Sequence, residues 1–273
     1  GCLGAYSREL YRRAAERGKI MAEGREQRVT GRRGREARRE ARLARQATST
    51  PYITRSIPNF EILDEEGLAL IEYNAETLLE EIGIEFRDHP RAIELLKGAG
   101  CAIEGSRARF PRGLARQLVA TAPSDFFQHA RNPERNVHIG GKSTVFAPVY
   151  GSPFVHDLDQ GRRYGTIEDF ANFVKLAYAS PYMHHSGGTV CEPVDLPNNK
   201  RHLEMVYAHM RWSDKPFMGS VTHPERAKDT VALCRILFGE EFVDSHAVCL
   251  SLINANSPLV WDATMLGAAE VYA

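Results

Sequence analysis

The residues best suited to chemistry stand just after the predicted strands of the second half of the chain. They are Tyr150, Glu192, His223, Asn254 and Asn256, with Phe154 shortly beyond Tyr150 and His185 inside a strand. Two amides as close as Asn254 and Asn256 suit hydrogen bonds to a ligand. Tyr150 and Phe154 form either an aromatic wall or the packing of a hairpin. Glu192 serves either a ligand or a structural ion pair. His223, just before Pro224, is either a helix cap or a donor into a pocket. His184 and His185 are neighbours in one strand and face opposite sides, which argues against a paired metal site. One of them is read as a hydrogen-bonded core histidine, and the other reaches towards the interior of the sheet. No nucleophile elbow, phosphate-binding loop or His-Glu-x-x-His motif is present. No residue is therefore assigned a catalytic role, and no metal site is assigned.

These positions follow from a repeating pattern of elements. Extended apolar runs are read at 144–149, 183–190, 216–221 and 246–253. Helical runs follow them at 166–179, 198–212, 224–238 and 261–273. Strand and helix alternate four times, which predicts a parallel sheet covered by helices. In a TIM-type βα barrel the edge after each strand builds the active site, and eight units close the ring. The expected fold is thus a TIM-type βα barrel that stops after about four units, occupying residues 140–273. Gly187-Gly188 lets a ligand or a neighbouring backbone approach closely. Asp195 is read as the cap of the helix after it, and Asp262 as the cap of the last helix.

Upstream, residues 59–139 read as an α-rich cap domain with short strands. Asp64 is a plausible N-cap. Leu68, Ile71, Ala75, Leu78, Leu79 and Ile82 share one helical face. His89-Pro90 opens a second helix, Glu104-Gly105 turns an extended pair, and Pro111 starts a third helix. Gly140-Gly141 is a hairpin signal. A second hairpin is read over 155–164, and Thr166 with Asp169 forms a capping box. Residues 48–58 read as a linker and 1–47 as a basic arm.

The chain of 273 residues has a formal net charge of zero, but the charge is unevenly distributed. Residues 1–47 hold 14 Lys/Arg against 6 Asp/Glu, a net of +8 that the remainder offsets. No aromatic interrupts 31–45 to stack on bases, so the arm is read as a solvated helix-former rather than a nucleic-acid contact. No apolar run approaches the ~20 residues of a membrane helix, and no secretory signal is visible. The five cysteines are scattered without a Cys-x-x-Cys pair, which fits a reducing cytoplasm. Met21 is the expected initiator, and the chain is expected to continue beyond Ala273. A homo-oligomer is left open.

Several separated blocks resemble one family. Phe146-Ala-Pro-Val-Tyr-Gly-Ser-Pro-Phe154, the runs 184–197 and 213–219, Leu252-Ile-Asn-Ala-Asn-Ser-Pro-Leu259 and the basic start at 31–39 are similar to the trimethylamine methyltransferase family. The resemblance implies a TIM-barrel enzyme that moves a methyl group from a methylated amine to the Co(I) of a corrinoid (cobalamin) carried by a partner protein. Members are longer, close to a full barrel. Their later strands carry part of the pocket and, in the trimethylamine branch, a pyrrolysine position. Relatives without pyrrolysine act on quaternary amines such as glycine betaine. For such a substrate Tyr150 and Phe154 offer cation–π faces, Glu192 an opposing charge, and His185, His223, Asn254 and Asn256 polar contacts. The alternatives are a non-catalytic half barrel that binds an amine or a partner, and another βα-barrel enzyme.

Overall fold

Helices form where apolar spacing and caps agree, and the computed structural model describes them within residues 53–273. The readings for the basic arm and the initiator at Met21 lie outside the described residues. β1 (Ile53–Thr54) falls inside the stretch read as linker and pairs antiparallel with a later strand. α1 (Glu65–Thr77) is capped by Asp64, whose Oδ1 accepts from the Gly67 amide at 2.8 Å. A single π-helical turn (Leu78–Ile82) ends it. β2 (Ile84–Phe86), α2 (Pro90–Gly98), β3 (Ala102–Glu104), β4 (Arg107–Arg109) and α3 (Leu114–Val119) follow. His89 caps α2 by accepting from the Ala92 amide. β3 and β4 form the expected hairpin, with Gly105 at positive φ in the turn.

The predicted apolar face of α1 divides. Leu79 packs against a core of Phe86, Ala92, Cys101, Ala108 and Phe110. Leu68, Ile71, Leu78 and Ile82 instead stand 46–57 % exposed. The docked side of the helix is acidic: Glu72 pairs with Arg116, and Glu76 and Glu80 pair with Arg112.

β5 (Asp125–Gln128) pairs with β6 (Val137–Gly140), and β7 (Ser143–Thr144) pairs with β1. The Gly140-Gly141 turn therefore exists but joins strands that pair with other partners. The second hairpin forms as read, with β8 (Phe154–Asp157) opposite β9 (Gly161–Tyr164). α4 (Ile167–Ala179) begins with the full Thr166–Asp169 capping box. α5 (Asn198–Trp212), β10 (Phe217–Met218), α6 (Pro224–Phe238), the short α7 (Glu240–Ser245), β11 (Cys249–Leu250), β12 (Val260–Trp261) and α8 (Ala263–Tyr272) complete the order.

Of the four expected parallel strands, 216–221 and 246–253 shrink to β10 and β11, 144–149 leaves only the end of β7, which pairs antiparallel with β1, and 183–190 forms no strand, yet backbone bonds still link the four segments. The Phe146 carbonyl accepts from the His184 amide at 3.0 Å, and Ser186 donates to the Pro216 carbonyl at 2.8 Å. Met218 donates back to Gly187, and Gly219 donates to Leu250. β10 and β11 are parallel. Regular pairing fails around residues 183–190 because Gly187 turns the chain at φ +94°. Among the described residues the array does not close on itself.

The last strand–helix boundary also differs. Trp261, read as helical, belongs to β12, which extends the upstream sheet in the order β12-β2-β4-β3. Trp261 pairs with Phe86, and its ring joins the upstream core. α8 starts only after Asp262, whose Oδ1 accepts from the Met265 amide.

Candidate active site

The ends of the four aligned segments carry Tyr150, Thr189, Ser220 and Asn254. Tyr150 is 38 % exposed, and its ring rests on Gly188. A Cβ at 188 would lie 2.6 Å from the ring and 2.9 Å from Met218 Cβ. The close approach expected at Gly187-Gly188 is thus taken by the protein itself, with the Pro148 ring against Gly187 and the Tyr150 ring against Gly188. Gly151 donates to the Thr189 carbonyl at 2.7 Å, which holds the loop after Tyr150 to the second segment. Tyr150 therefore presents an aromatic surface over a fixed floor.

Phe154 lies in a different setting. It packs on Tyr164 across the hairpin with the rings tilted by 34°, and the Arg162 guanidinium sits 3.8 Å over its ring. Its cation–π face already holds the protein's own cation. Phe154 also lines a mostly apolar cavity of about 510 Å³ with Phe173, Leu176 and Met183, beside α4. Of the two aromatics, the structure brings Tyr150 to the segment ends and builds Phe154 into the hairpin.

His185 is buried. Its Nδ1 accepts from the Gly187 amide, which leaves Nε2–H to donate to Gln128 Oε1 at 3.0 Å. Burial pushes its pKa down to about 3, so it is a neutral structural imidazole. His184 is buried as well, and its Nδ1 accepts from the Phe146 amide. Glu192 makes the ion pair, accepting from Arg201 at 2.6 Å. His223 caps α6, with Nδ1 accepting from the Glu225 amide. Asn256 closes a turn by exchanging backbone bonds with Val260, and its side-chain amide donates to Asp262. Asn254 is exposed and stands at the open edge. Asp195 caps α4 rather than the helix after it, by accepting from the Ile167 amide at 2.9 Å. α5 begins at Pro197 without a side-chain cap.

The interior holds polar residues that sequence reasoning missed. His209 on α5 is fully enclosed. Its Nδ1 accepts from the Ser186 hydroxyl at 2.7 Å, and its Nε2–H donates to the Gly188 carbonyl at 2.8 Å. Burial lowers its pKa to about 4. Lys215 donates to the carbonyls of Ala177, Ser180 and Met183 within 3.0 Å. Burial lowers its pKa to about 8. Gln128 donates to the Phe217 carbonyl and so ties β5 to the array. A helical signal existed for His209, seven residues after His202 on the inward face of α5. Nothing local marked Lys215.

The architecture is mixed α/β with several small sheets, and the candidate site lies at the segment ends. The family described as Trimethylamine methyltransferase (MTTB) matches residues 31–273, and the chain belongs to that family. It is 46 % identical over 218 residues to the glycine betaine methyltransferase of Desulfitobacterium hafniense (strain Y51), covering 80 % of this chain and 45 % of that protein. It is 26 % identical over 221 residues to the proline betaine:corrinoid methyltransferase of Eubacterium limosum, covering 76 % of this chain and 44 % of that one. The chain thus spans a little under half the length of both relatives.

Proposed function

We propose that the chain carries part of an enzyme that moves a methyl group from a quaternary amine, glycine betaine, to a corrinoid held by a partner protein. The observation that supports this most is the 46 % identity to a glycine betaine methyltransferase. We also infer that the four aligned segments are the first half of a βα barrel, with Tyr150 and Asn254 on its active edge.

The chemistry asks for orientation more than for proton transfer. A quaternary nitrogen that gives up a methyl group keeps the bonding electron pair and leaves as a neutral tertiary amine. No proton moves, so no general acid or base is needed. The corrinoid supplies a Co(I) nucleophile when bound. Tyr150 holds the ammonium group by cation–π attraction, worth about 0.5–2 kcal/mol. Its ring is backed by Gly188, where any side chain would collide with it. Asn254 is placed to donate to a carboxylate. Tyr150 and the exposed stretch from Asn254 to Pro258 leave this edge uncovered. That suits a cofactor presented by another protein rather than one enclosed within these residues.

Calorimetric titration with glycine betaine tests the reading. Saturable binding at millimolar or tighter affinity is expected, weakened several-fold in Tyr150→Ala and retained in Tyr150→Phe. Unchanged affinity in Tyr150→Ala would remove that ring from the site.

A further inference from the structure

We infer that His202, aimed by Asp229, holds one water molecule in a small cavity between α5 and the ends of the second and third segments. The inference starts from one nitrogen. His202 stands two turns before His209 on the inward face of α5 and is 6 % exposed. Its Nε2–H donates to Oδ2 of Asp229, on α6, at 2.7 Å. A carboxylate only accepts, so this bond fixes the tautomer and leaves Nδ1 of the neutral ring as an acceptor. Nδ1 is buried, and among the described residues no protein group donates to it. A buried acceptor without a donor bears the full loss of its hydration.

The ring borders a cavity of about 20 Å³ whose walls include Gly188, Thr189, Met218 and Ser220. One water needs roughly 10–15 Å³ and two to four polar partners. Besides His202 Nδ1, the walls offer the hydroxyls of Thr189 and Ser220, each able to donate or accept. The Ser220 hydroxyl makes a long contact of 3.4 Å to Thr222. His209 shares the cavity but has spent both nitrogens on Ser186 and Gly188. The occupant must therefore donate to Nδ1, and the space admits nothing larger than a water. An imidazole backed by a carboxylate also suits a metal ion. Here no carboxylate or thiol lines the cavity, and a single free imidazole nitrogen falls short of the three or four ligands of a zinc site. Every wall lies on α5 or on the ends of these two segments, so no residue beyond them is needed to form the site. His209 ties α5 to the second segment directly. The water ties the same helix face to the segment ends that carry Thr189 and Ser220.

The test uses the full 273-residue chain. A crystal structure should show a water within about 3.2 Å of His202 Nδ1 and of a hydroxyl of Thr189 or Ser220. Nitrogen NMR of the histidine-labelled chain should find the His202 proton on Nε2 and none on Nδ1. Magnetic relaxation dispersion of water oxygen counts long-lived internal waters, and that count should fall by one in His202→Phe. An unchanged count in a folded His202→Phe would overturn the proposal. So would a ring turned over in the crystal so that protein groups bond both nitrogens, which needs no variant to fold. Elemental analysis separates the remaining case, because a stoichiometric metal ion in the purified chain would make this a metal centre instead.

Discussion

His209 ties α5 to the second segment of the array through one ring, at Ser186 and Gly188, and it can do so only as a neutral imidazole. Its Nδ1 must accept from Ser186 while its Nε2–H donates to Gly188. His185 is held in the same state by Gly187 and Gln128. Both folded pKa values, about 4 and about 3, lie below the ordinary 6.5. The unfolded chain therefore takes up these protons first as pH falls. The stability they contribute is complete above about pH 6.5 and declines towards their folded pKa values. Each histidine loses up to ~1.4 kcal/mol per pH unit in that window. The melting temperature should fall steeply between pH 6.5 and 4, and less steeply in His209→Asn. A flat profile across that range would show that neither ring is held neutral. Sequence alone read His184 and His185 as neighbours in one strand facing opposite sides; no strand forms there, and both rings are buried. Burial there depends on Phe146 and Gln128, which are distant in the chain. The same limit applied to Glu192 and His223, whose alternatives were visible but whose partners were not.

At the scale of elements, caps decide where α4 begins. Thr166 and Asp169 form the capping box that the sequence announced. Arg163 adds two charge-assisted bonds to Asp169, at 2.6 and 2.8 Å, and holds its carboxyl well below the usual range. Asp195 supplies a further acceptor from beyond the next segment. Asp169→Asn should destabilise the chain by about 1–3 kcal/mol, since it loses a cap and the Arg163 pair together. Asp195→Ala should lose about 0.5–2 kcal/mol. Urea titration of the two variants measures both, and a smaller loss for Asp169→Asn than for Asp195→Ala would contradict this ranking. α4, α5 and α6 were legible to within a residue because their apolar period and stops are local. The strands were not, because their lengths depend on neighbours. Trp261 looked like a helix start until its pairing with Phe86 came into view.

At the scale of the molecule, the array has an uncovered side. β11 has β10 as its strand partner on one edge only. Gly219 donates to Leu250, so Cys249 and Ser251 direct their backbone groups the other way. Hydrogen exchange at the amides of Cys249 and Ser251 should be faster than at Leu250 by orders of magnitude. Equal protection would mean that another element pairs with that edge. The relatives are about twice as long as the part that this chain matches. We expect the 273 residues alone to transfer no methyl group to a corrinoid protein, and measurable transfer would place the whole site within them. The helices of the fourfold alternation were readable in the sequence, whereas of the expected parallel array one pair, β10 with β11, is parallel among the described residues. The bond through β12 and β2 was not readable, since it joins residues far apart.

That bond has a consequence for synthesis. Phe86 emerges from the ribosome 175 residues before its strand partner Trp261 (261 minus 86). At typical translation rates the wait is roughly 9–35 s. Throughout it, the β2-β4-β3 sheet has an open edge, and Phe86 lacks the indole that covers its cluster in the finished chain. Until β12 arrives, the stretch from β2 to β4 is thus the part of the nascent chain whose uncovered apolar cluster a holdase would bind.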